Sequence, residues 1–311
     1  GKFVIRNLLN FVNAGDILDG RYEITYDGGV YAEGTFDFSV EPMSKTEIII
    51  PEAAENYERT AYIRFIFTAK QDTLWCEKGY EICFDQLLLR KVEKQPEIAS
   101  EAEVTYSDEP LSIKIKAGEN EYVFSKRTAS FVSIKNSGTE ILTKPMAFNF
   151  FRAPTDNDNG NMMQARYAQW KIASMYVTVK RQDVNPAIEE LENSVKLNYT
   201  CYMPTNPAST CQLSYHVFGD GTIETTMMYE PVEGLCDMPE FGMIFKLDAD
   251  FNHLSWYGLG PEETYTDRMK GAKLGIYENK VADNMAKYPV PQECGNKCEV
   301  RYAEITNDKG R

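Results

Sequence analysis

Histidine is nearly missing from this 311-residue chain, which carries only His216 and His253. Its ordinary pKa lies close to neutral pH, so proton-transfer chemistry built on histidine has few places to sit here. Both residues occur in apolar, strand-like runs, where a hydrogen-bonded structural role is the expectation. Positive charge is scarce too. Lys and Arg total 33 against 47 Asp and Glu, a net of −14, and no local Lys/Arg run offsets it. A nucleic-acid partner needs a basic footprint to displace phosphate counterions, so that class is excluded. No apolar run approaches the roughly 20 residues that cross a bilayer as a helix, so no membrane span of that kind is expected. The opening Gly1-Lys2-Phe3-Val4-Ile5-Arg6 has no basic n-region before an apolar h-region. No signal peptide is therefore visible, and both a cytoplasmic and a periplasmic location stay open.

Seven cysteines are an odd number without regular spacing, which speaks against a secreted disulfide framework. Cys294 and Cys298 form C-x3-C with no second pair and no His nearby, short of the four ligands of a structural zinc site. Cys76/Cys83 and Cys201/Cys211 stand at hairpin-like separations, but all seven are expected as reduced and mostly buried thiols. The chain also lacks G-x-G-x-x-G, Walker and G-x-S-x-G motifs, which removes nucleotide and serine-hydrolase readings.

What is present has a period of two. Ile113-Lys114-Ile115-Lys116, Val195 to Tyr199 and Leu213 to Val217 alternate apolar with polar residues. That is the demand of a half-buried strand, whose successive side chains point to opposite faces. Nineteen Tyr and 16 Phe add residues that favour pleated surfaces. Arg21 to Tyr26, then Asp27-Gly28-Gly29, then Val30 onward predicts a hairpin with a glycine-bearing turn. Helical signal is thin: one short helix over Asn161 to Trp170, and a turn over Glu262 to Arg268. The expectation is an all-β chain.

Lys91-Val92-Glu93-Lys94-Gln95-Pro96-Glu97 is charged, lacks an apolar pattern and contains a proline, so a linker is expected over 91–101. Before it, about seven short strand candidates fit an immunoglobulin-like β-sandwich over 1–95. After it, ten or more strand candidates over 96–311 exceed one small sandwich. Cys298 to Asn307 predicts a strand running into a turn at Asp308-Lys309-Gly310, after which a hairpin partner is expected. The second domain therefore looks truncated at its C-terminus.

Two polar clusters stand out. Phe151-Arg152-Ala153-Pro154-Thr155-Asp156-Asn157-Asp158-Asn159-Gly160 imitates a calcium loop, yet its glycine falls at loop position five and position twelve is Tyr167, so the EF-hand register fails. Two carboxylates spaced so closely are poorly placed to flank a scissile bond. The favoured reading is an Asx-rich turn in which Asp156 and Asp158 hold the Arg152 guanidinium. In Trp256-Tyr257-Gly258-Leu259-Gly260-Pro261-Glu262-Glu263-Thr264-Tyr265-Thr266-Asp267-Arg268, glycines and a proline mark a sharp turn. Its rings suit either core packing or stacking on a sugar face.

These two stretches, with Tyr288-Pro289-Val290-Pro291-Gln292-Glu293-x-Gly295-Asn296-Lys297, resemble the C-terminal part of the large bacterial β-galactosidases of glycoside hydrolase family 2. Lys2-Phe3-Val4-Ile5-Arg6-Asn7 and Asp72-Thr73-Leu74-Trp75 resemble parts of the domain that follows the barrel in that family, so the likeness covers essentially the whole chain. The resemblance implies an immunoglobulin-like sandwich followed by a galactose-mutarotase-like β supersandwich, cut before its C-terminus. It implies that the two catalytic glutamates of the retaining mechanism, and the magnesium and sodium ligands, belong to preceding domains, leaving no cofactor in this part. A tryptophan that the supersandwich lends to the active site is expected beyond Arg311.

The implied partners are the N-terminal domains and TIM barrel of the parent chain and further copies in a homo-oligomer, with a galactoside bound only through the parent. No catalytic residue is assigned. Arg152, Asp156, Asn157, Asp158, Trp256, Tyr257, Glu262, Asp267 and Arg268 are the candidate structural, barrel-facing or carbohydrate-facing positions. The alternatives are a stand-alone carbohydrate-binding module and a domain that serves assembly alone.

Overall fold

A computed structural model describes residues 1–54, 57–92, 102–180 and 185–310. Of the expected linker, 93–101 lie outside the described residues. The first ninety residues form β1 (Lys2–Arg6), β2 (Leu18–Tyr26), β3 (Gly29–Phe36), β4 (Lys45–Ile49), β5 (Ala61–Ala69) and β6 (Glu81–Arg90). A one-turn helix, α1 (Ala14–Ile17), precedes β2. Then come β7 (Val104–Asp108), β8 (Ser112–Ala117), β9 (Asn120–Ser125), β10 (Ser130–Asn136), β11 (Thr139–Glu140) and β12 (Leu142–Asn149). Three short helices follow: α2 (Asp156–Gly160), α3 (Met163–Arg166) and α4 (Ala168–Met175). The remaining strands are β13 (Ala187–Leu191), β14 (Ser194–Met203), β15 (Ser209–Phe218), β16 (Ile223–Tyr229), β17 (Gly242–Leu247), β18 (His253–Gly260), β19 (Lys273–Lys280) and β20 (Tyr302–Thr306). The fold is all-β, as its alternation demands.

The chain divides into two compact units. One gathers Gly1–Gln95, His253–Met285 and Gly295–Ile305; the other gathers Pro96–Asn252, Ala286–Cys294 and Thr306–Arg311. Sequence order had suggested a single change of domain, near residue 95. In the structure polar side chains bind β19 to the first ninety residues, and β18 comes with it as its ladder partner. Arg64 donates to the Leu274 carbonyl at 2.7 Å, Lys273 pairs with Glu81 at 2.6 Å, and Gln86 accepts from the Leu274 amide at 3.0 Å.

In the first unit, sheets β1-β4 and β3-β2-β5-β6 enclose a core containing Ile24, Ile48, Ile50, Ile63 and Phe65. Among the described residues up to 92 there are six strands, against about seven expected. The predicted hairpin forms between β2 and β3, with Tyr26 opposite Gly29. Its two turn residues, Asp27 and Gly28, have φ of 45° and 87°, the left-handed pair that such a two-residue turn requires. Sheet β19-β18-β20 completes this unit. The strand expected over Cys298 to Asn307 forms as β20 (Tyr302–Thr306), which neighbours β18.

In the second unit, sheets β11-β10-β9-β8-β7, β13-β14-β15-β16 and β12-β17 share one core with α4. Phe124 meets Phe131, Tyr199 and Tyr215 at ring separations of 5.3, 5.3 and 5.4 Å, within the favoured range for aromatic pairs. The stretch expected as one helix over 161–170 is split into α3 and α4, and the residues expected as a turn at 156–160 form α2. His216, on β15, bonds Ser194 at 2.9 Å and rests against Phe218. Burial holds its pKa below the usual value despite Glu224 nearby, so it stays neutral at pH 7 as a structural group.

Cys201 and Cys211 stand opposite each other on β14 and β15, and all seven cysteines are free thiols. Burial pushes the Cys201 thiol up to about 12 and the Cys211 thiol up to about 11. The thiolate is the reactive form, so both are inert near neutral pH. Titration with a thiol reagent in denaturant, without reductant, is expected to count seven thiols. In the folded protein, exposed Cys83 reacts ahead of Cys201 and Cys211, and a count of five or fewer in denaturant contradicts this assignment.

Candidate functional site

The first cluster starts in the core. Phe150 is fully buried against Trp170 and Phe241, and its backbone amide donates to Ser174 Oγ at 2.8 Å. Trp170 Nε1 in turn donates to the Cys236 carbonyl at 3.1 Å. From this anchor the chain passes Arg152 and Pro154 into α2, whose N-cap is Thr155. Thr155 and Asp158 form a capping box: the Thr155 hydroxyl accepts from the Asp158 amide, and the Asp158 carboxylate accepts from the Thr155 amide at 2.8 Å. This reciprocal pair satisfies donors that the first helical turn leaves unpaired. It is the reason a short helix forms where an Asx turn was expected.

The Arg152 fork grips the same carboxylate, Nη1 on Oδ2 and Nη2 on Oδ1, the second bond at 3.3 Å. Asp158 is therefore the arginine's carboxylate partner. Asp156, expected to share that role, has an exposed side chain and contributes its amide, which donates to Gln292 Oε1 at 3.0 Å. Asn157 is exposed. Burial pushes the Asp158 carboxyl up, but Arg152 and the two Thr155 donors outweigh it and hold the pKa below the usual carboxylate range. A second thread crosses from the Glu293 amide to the Pro154 carbonyl at 3.0 Å. The Arg-Ala-Pro-Thr-Asp stretch and the Pro-Gln-Glu stretch, over 130 residues apart in sequence, are thus fastened together within one unit.

The second cluster belongs to the other unit, on β18 and the loop after it. Trp256 is 1 % exposed and packs on Tyr277 at 5.4 Å, with Nε1 donating to the Leu259 carbonyl and the Lys297 ammonium 4.8 Å from the ring. Its ring faces protein on all sides. Burial lowers the Lys297 pKa, opposed by Glu262 and Glu263. The glycines of this motif answer to packing: a Cβ on Gly260 would come within 2.7 Å of the Tyr277 ring, and one on Gly258 within 3.1 Å of Val300.

The loop is then sewn to residues 295–298. Glu263 accepts from Arg268 and from the Gly295 amide, both at 2.8 Å. Thr264, fully buried, donates its amide to the Asn296 carbonyl, accepts at its own carbonyl from the Asn296 side-chain amide, and accepts from the Cys298 amide through its hydroxyl at 2.7 Å. Sequence reasoning singled out Glu262 and Asp267, which are exposed, and passed over Glu263 and Thr264, which hold the loop. Nothing in the local pattern distinguishes Glu262 from Glu263. Only the position of Gly295 does.

Tyr257 lines a cavity of about 430 Å3 together with Tyr62, Arg301, Tyr302, Asp27 and Lys91. Arg301 donates to the Tyr62 hydroxyl at 3.2 Å, and the Tyr257 and Tyr302 rings lie 6.0 Å apart. Burial raises the Tyr257 pKa, so its hydroxyl is a neutral hydrogen-bonding group. Among the described residues, no three His, Cys, Asp or Glu side chains converge as a cation site.

The geometry defines an all-β chain whose two motif clusters fasten distant loops to one another. The chain belongs to the β-galactosidase small chain family, whose model matches residues 116–310, and residues 3–90 match β-galactosidase domain 4. It is similar to the β-galactosidase of Clostridium acetobutylicum, 36% identical over 275 residues that cover 88% of this chain and 30% of that one. The β-galactosidase of Priestia megaterium is 31% identical over 315 residues, 100% of this chain and 30% of its own length. That of Halalkalibacterium halodurans is 33% identical over 300 residues, 94% and 29%. The chain spans about a third of the length of the curated relatives it matches.

The clasp geometry predicts unequal effects for two similar substitutions. Asp158→Asn removes the charge that Arg152 grips and weakens the capping box, so a loss of about 2 kcal/mol in unfolding free energy is expected. Asp156→Asn, on an exposed side chain, is expected to stay within about 0.5 kcal/mol. The folded pKa of Asp158 is depressed, so its contribution is present above the unfolded value near 3.9 and is lost as pH falls through the folded one. Denaturant unfolding at pH 7 and pH 3 checks both statements, and equal losses for the two variants contradict the clasp.

Proposed function

We propose that this chain is a non-catalytic C-terminal part of a β-galactosidase, which supports the active site and the assembly of its parent without cleaving the glycoside itself. The observation that carries this reading is the employment of its motif carboxylates. Asp158 is held by Arg152 and Thr155, and Glu263 by Arg268 and Gly295, while Asp156, Glu262 and Asp267 are open to solvent. Retaining glycoside hydrolysis needs two carboxyl groups facing one bond about 5 Å apart. A carboxylate fixed in a bidentate ion pair is spent on structure. The limited match to relatives about three times as long supports the same reading, with the catalytic pair, the metals and the galactoside assigned to the remainder of the parent.

The purified chain is expected to show no turnover of a chromogenic β-galactoside, even at high protein concentration. Turnover that co-purifies with the chain through stringent purification overturns the assignment.

A second reading, a carbohydrate-binding module, is favoured by the Tyr62–Tyr257–Tyr302 cavity, whose rings and Arg301 offer the stacking and hydrogen bonding a sugar takes. Calorimetric titration with galactosyl oligosaccharides separates the two. The supporting-part reading expects no saturable heat. Saturable binding that Tyr302→Ala abolishes establishes the module.

A further inference from the structure

The first unit displays an apolar surface that its own fold does not cover. The loop after β1 shows Leu8 at 67% exposure and Phe11 at 92%, and the loop between β5 and β6 shows Leu74 at 107% and Trp75 at 70%. Between these loops lies a cavity of about 520 Å3, lined by Ile5, Leu8, Ile17, Phe67, Trp75 and Ile82 among others. Single exposed apolar residues are ordinary on protein surfaces, but a contiguous group of large ones around a concavity marks an interaction site.

Both loops are built to present these side chains. Asn7 is buried, and its amide donates to the Val12 and Val40 carbonyls, each at 2.9 Å, while its Oδ1 accepts from the Leu9 amide at 2.9 Å. One polar side chain thereby satisfies three backbone groups in and beside the loop, and Leu8 and Phe11 remain outside. Thr73 does the same in the second loop: its hydroxyl oxygen accepts from the Trp75 and Cys76 amides at 3.3 and 3.0 Å, and its amide donates to the Cys76 carbonyl at 2.8 Å. Leu74 and Trp75 are left at the tip, with Trp75 edge-on to Tyr80 at 5.9 Å. A loop whose polar groups are satisfied internally has no need of apolar tips for its own stability. An aromatic and aliphatic tip held in one geometry is what a docking anchor requires, because little side-chain and loop freedom is lost on binding.

We propose that this surface is the seat of the preceding part of the parent polypeptide. The proposal rests on the reading of this chain as one part of a longer β-galactosidase. Two observations select that occupant over a second copy of the chain. More than two thirds of each matched relative lies outside the match, and the unit that carries the surface corresponds to the fourth domain in the family's own count. A segment joined by the backbone meets the surface at an effective concentration in the millimolar range, which a free partner does not reach. A second copy, in contrast, brings another net charge of −14, and like-charged surfaces repel on approach. Arg6 is the one charged residue that lines the cavity, a single positive charge set against the net −14 of a second copy.

The test begins from the complete polypeptide that the gene encodes. A photoreactive benzoylphenylalanine in place of Leu74 is expected to cross-link within one chain, to residues upstream of position 1. The double variant Leu74→Ser, Trp75→Ser is expected to lower the apparent Tm of the complete polypeptide by about 4 °C or more. In the 311-residue chain alone, where nothing covers the tips, the same variant is expected to leave Tm unchanged. Cross-links that join two copies overturn the proposal and leave the supporting-part reading standing. So does an unchanged Tm of the complete polypeptide. A reading frame with nothing upstream of position 1 overturns the proposal and the reading on which it rests.

Discussion

The pairing of β14 with β15 sets the register on which the second unit depends. Ten residue pairs run from Ser194–Phe218 to Met203–Ser209 without a bulge. Each strand turns alternate side chains inward, Val195, Leu197, Tyr199, Cys201 and Met203 from one, Cys211, Leu213, Tyr215 and Val217 from the other. A slip of one residue sends every one of them to the solvent face and brings Lys196, Asn198 and His216 inside. The aromatic contacts of Phe124 with Tyr199 and Tyr215 hold only in this register, and so does the facing of the two inert thiols.

The loops obey a different rule. They cannot satisfy their backbone by ladder pairing, so polar side chains do it at long range. Asp158 serves a helix start and an arginine at once; Glu263 serves an arginine and a distant amide; Thr264 closes on Asn296 and Cys298; Asn7 ties Leu9 to Val12 and Val40, and Thr73 ties Trp75 and Cys76. A buried backbone group left without a partner costs about as much as several favourable contacts return, which is why so few side chains control so much chain. The motifs by which this chain resembles its relatives are largely these fasteners.

That division explains what the amino-acid order reveals. The strands around 113–117, 195–199 and 213–217 and the turn at Asp27-Gly28 were legible, because a period of two and a left-handed turn are local properties. The Arg152–Asp158 pairing was half legible: the residue types were right, but the choice between Asp156 and Asp158 depends on the helical cap at Thr155. Glu263 and Thr264 were not legible, since Gly295, Asn296 and Cys298, which set them apart from their neighbours, lie some thirty residues away across a loop. The placement of β18 and β19 beside the first ninety residues depends on Arg64, Glu81 and Gln86, and no pattern within β18 or β19 announces it.

The composition of the first unit from three separated stretches, Gly1–Gln95, His253–Met285 and Gly295–Ile305, bears on the order of events during synthesis. Arg64 is made early, yet its Leu274 acceptor emerges from the ribosome about 210 residues later, and Arg301, which reaches Tyr62, later still. The second unit's main sheets are already translated by then. At a typical bacterial elongation rate of about 5–20 residues per second, the early sandwich waits on the order of ten seconds or more for its last strands. During that interval the faces reserved for β18 and β20 are open, so the nascent chain, and not the finished protein, is the form most exposed to misassembly.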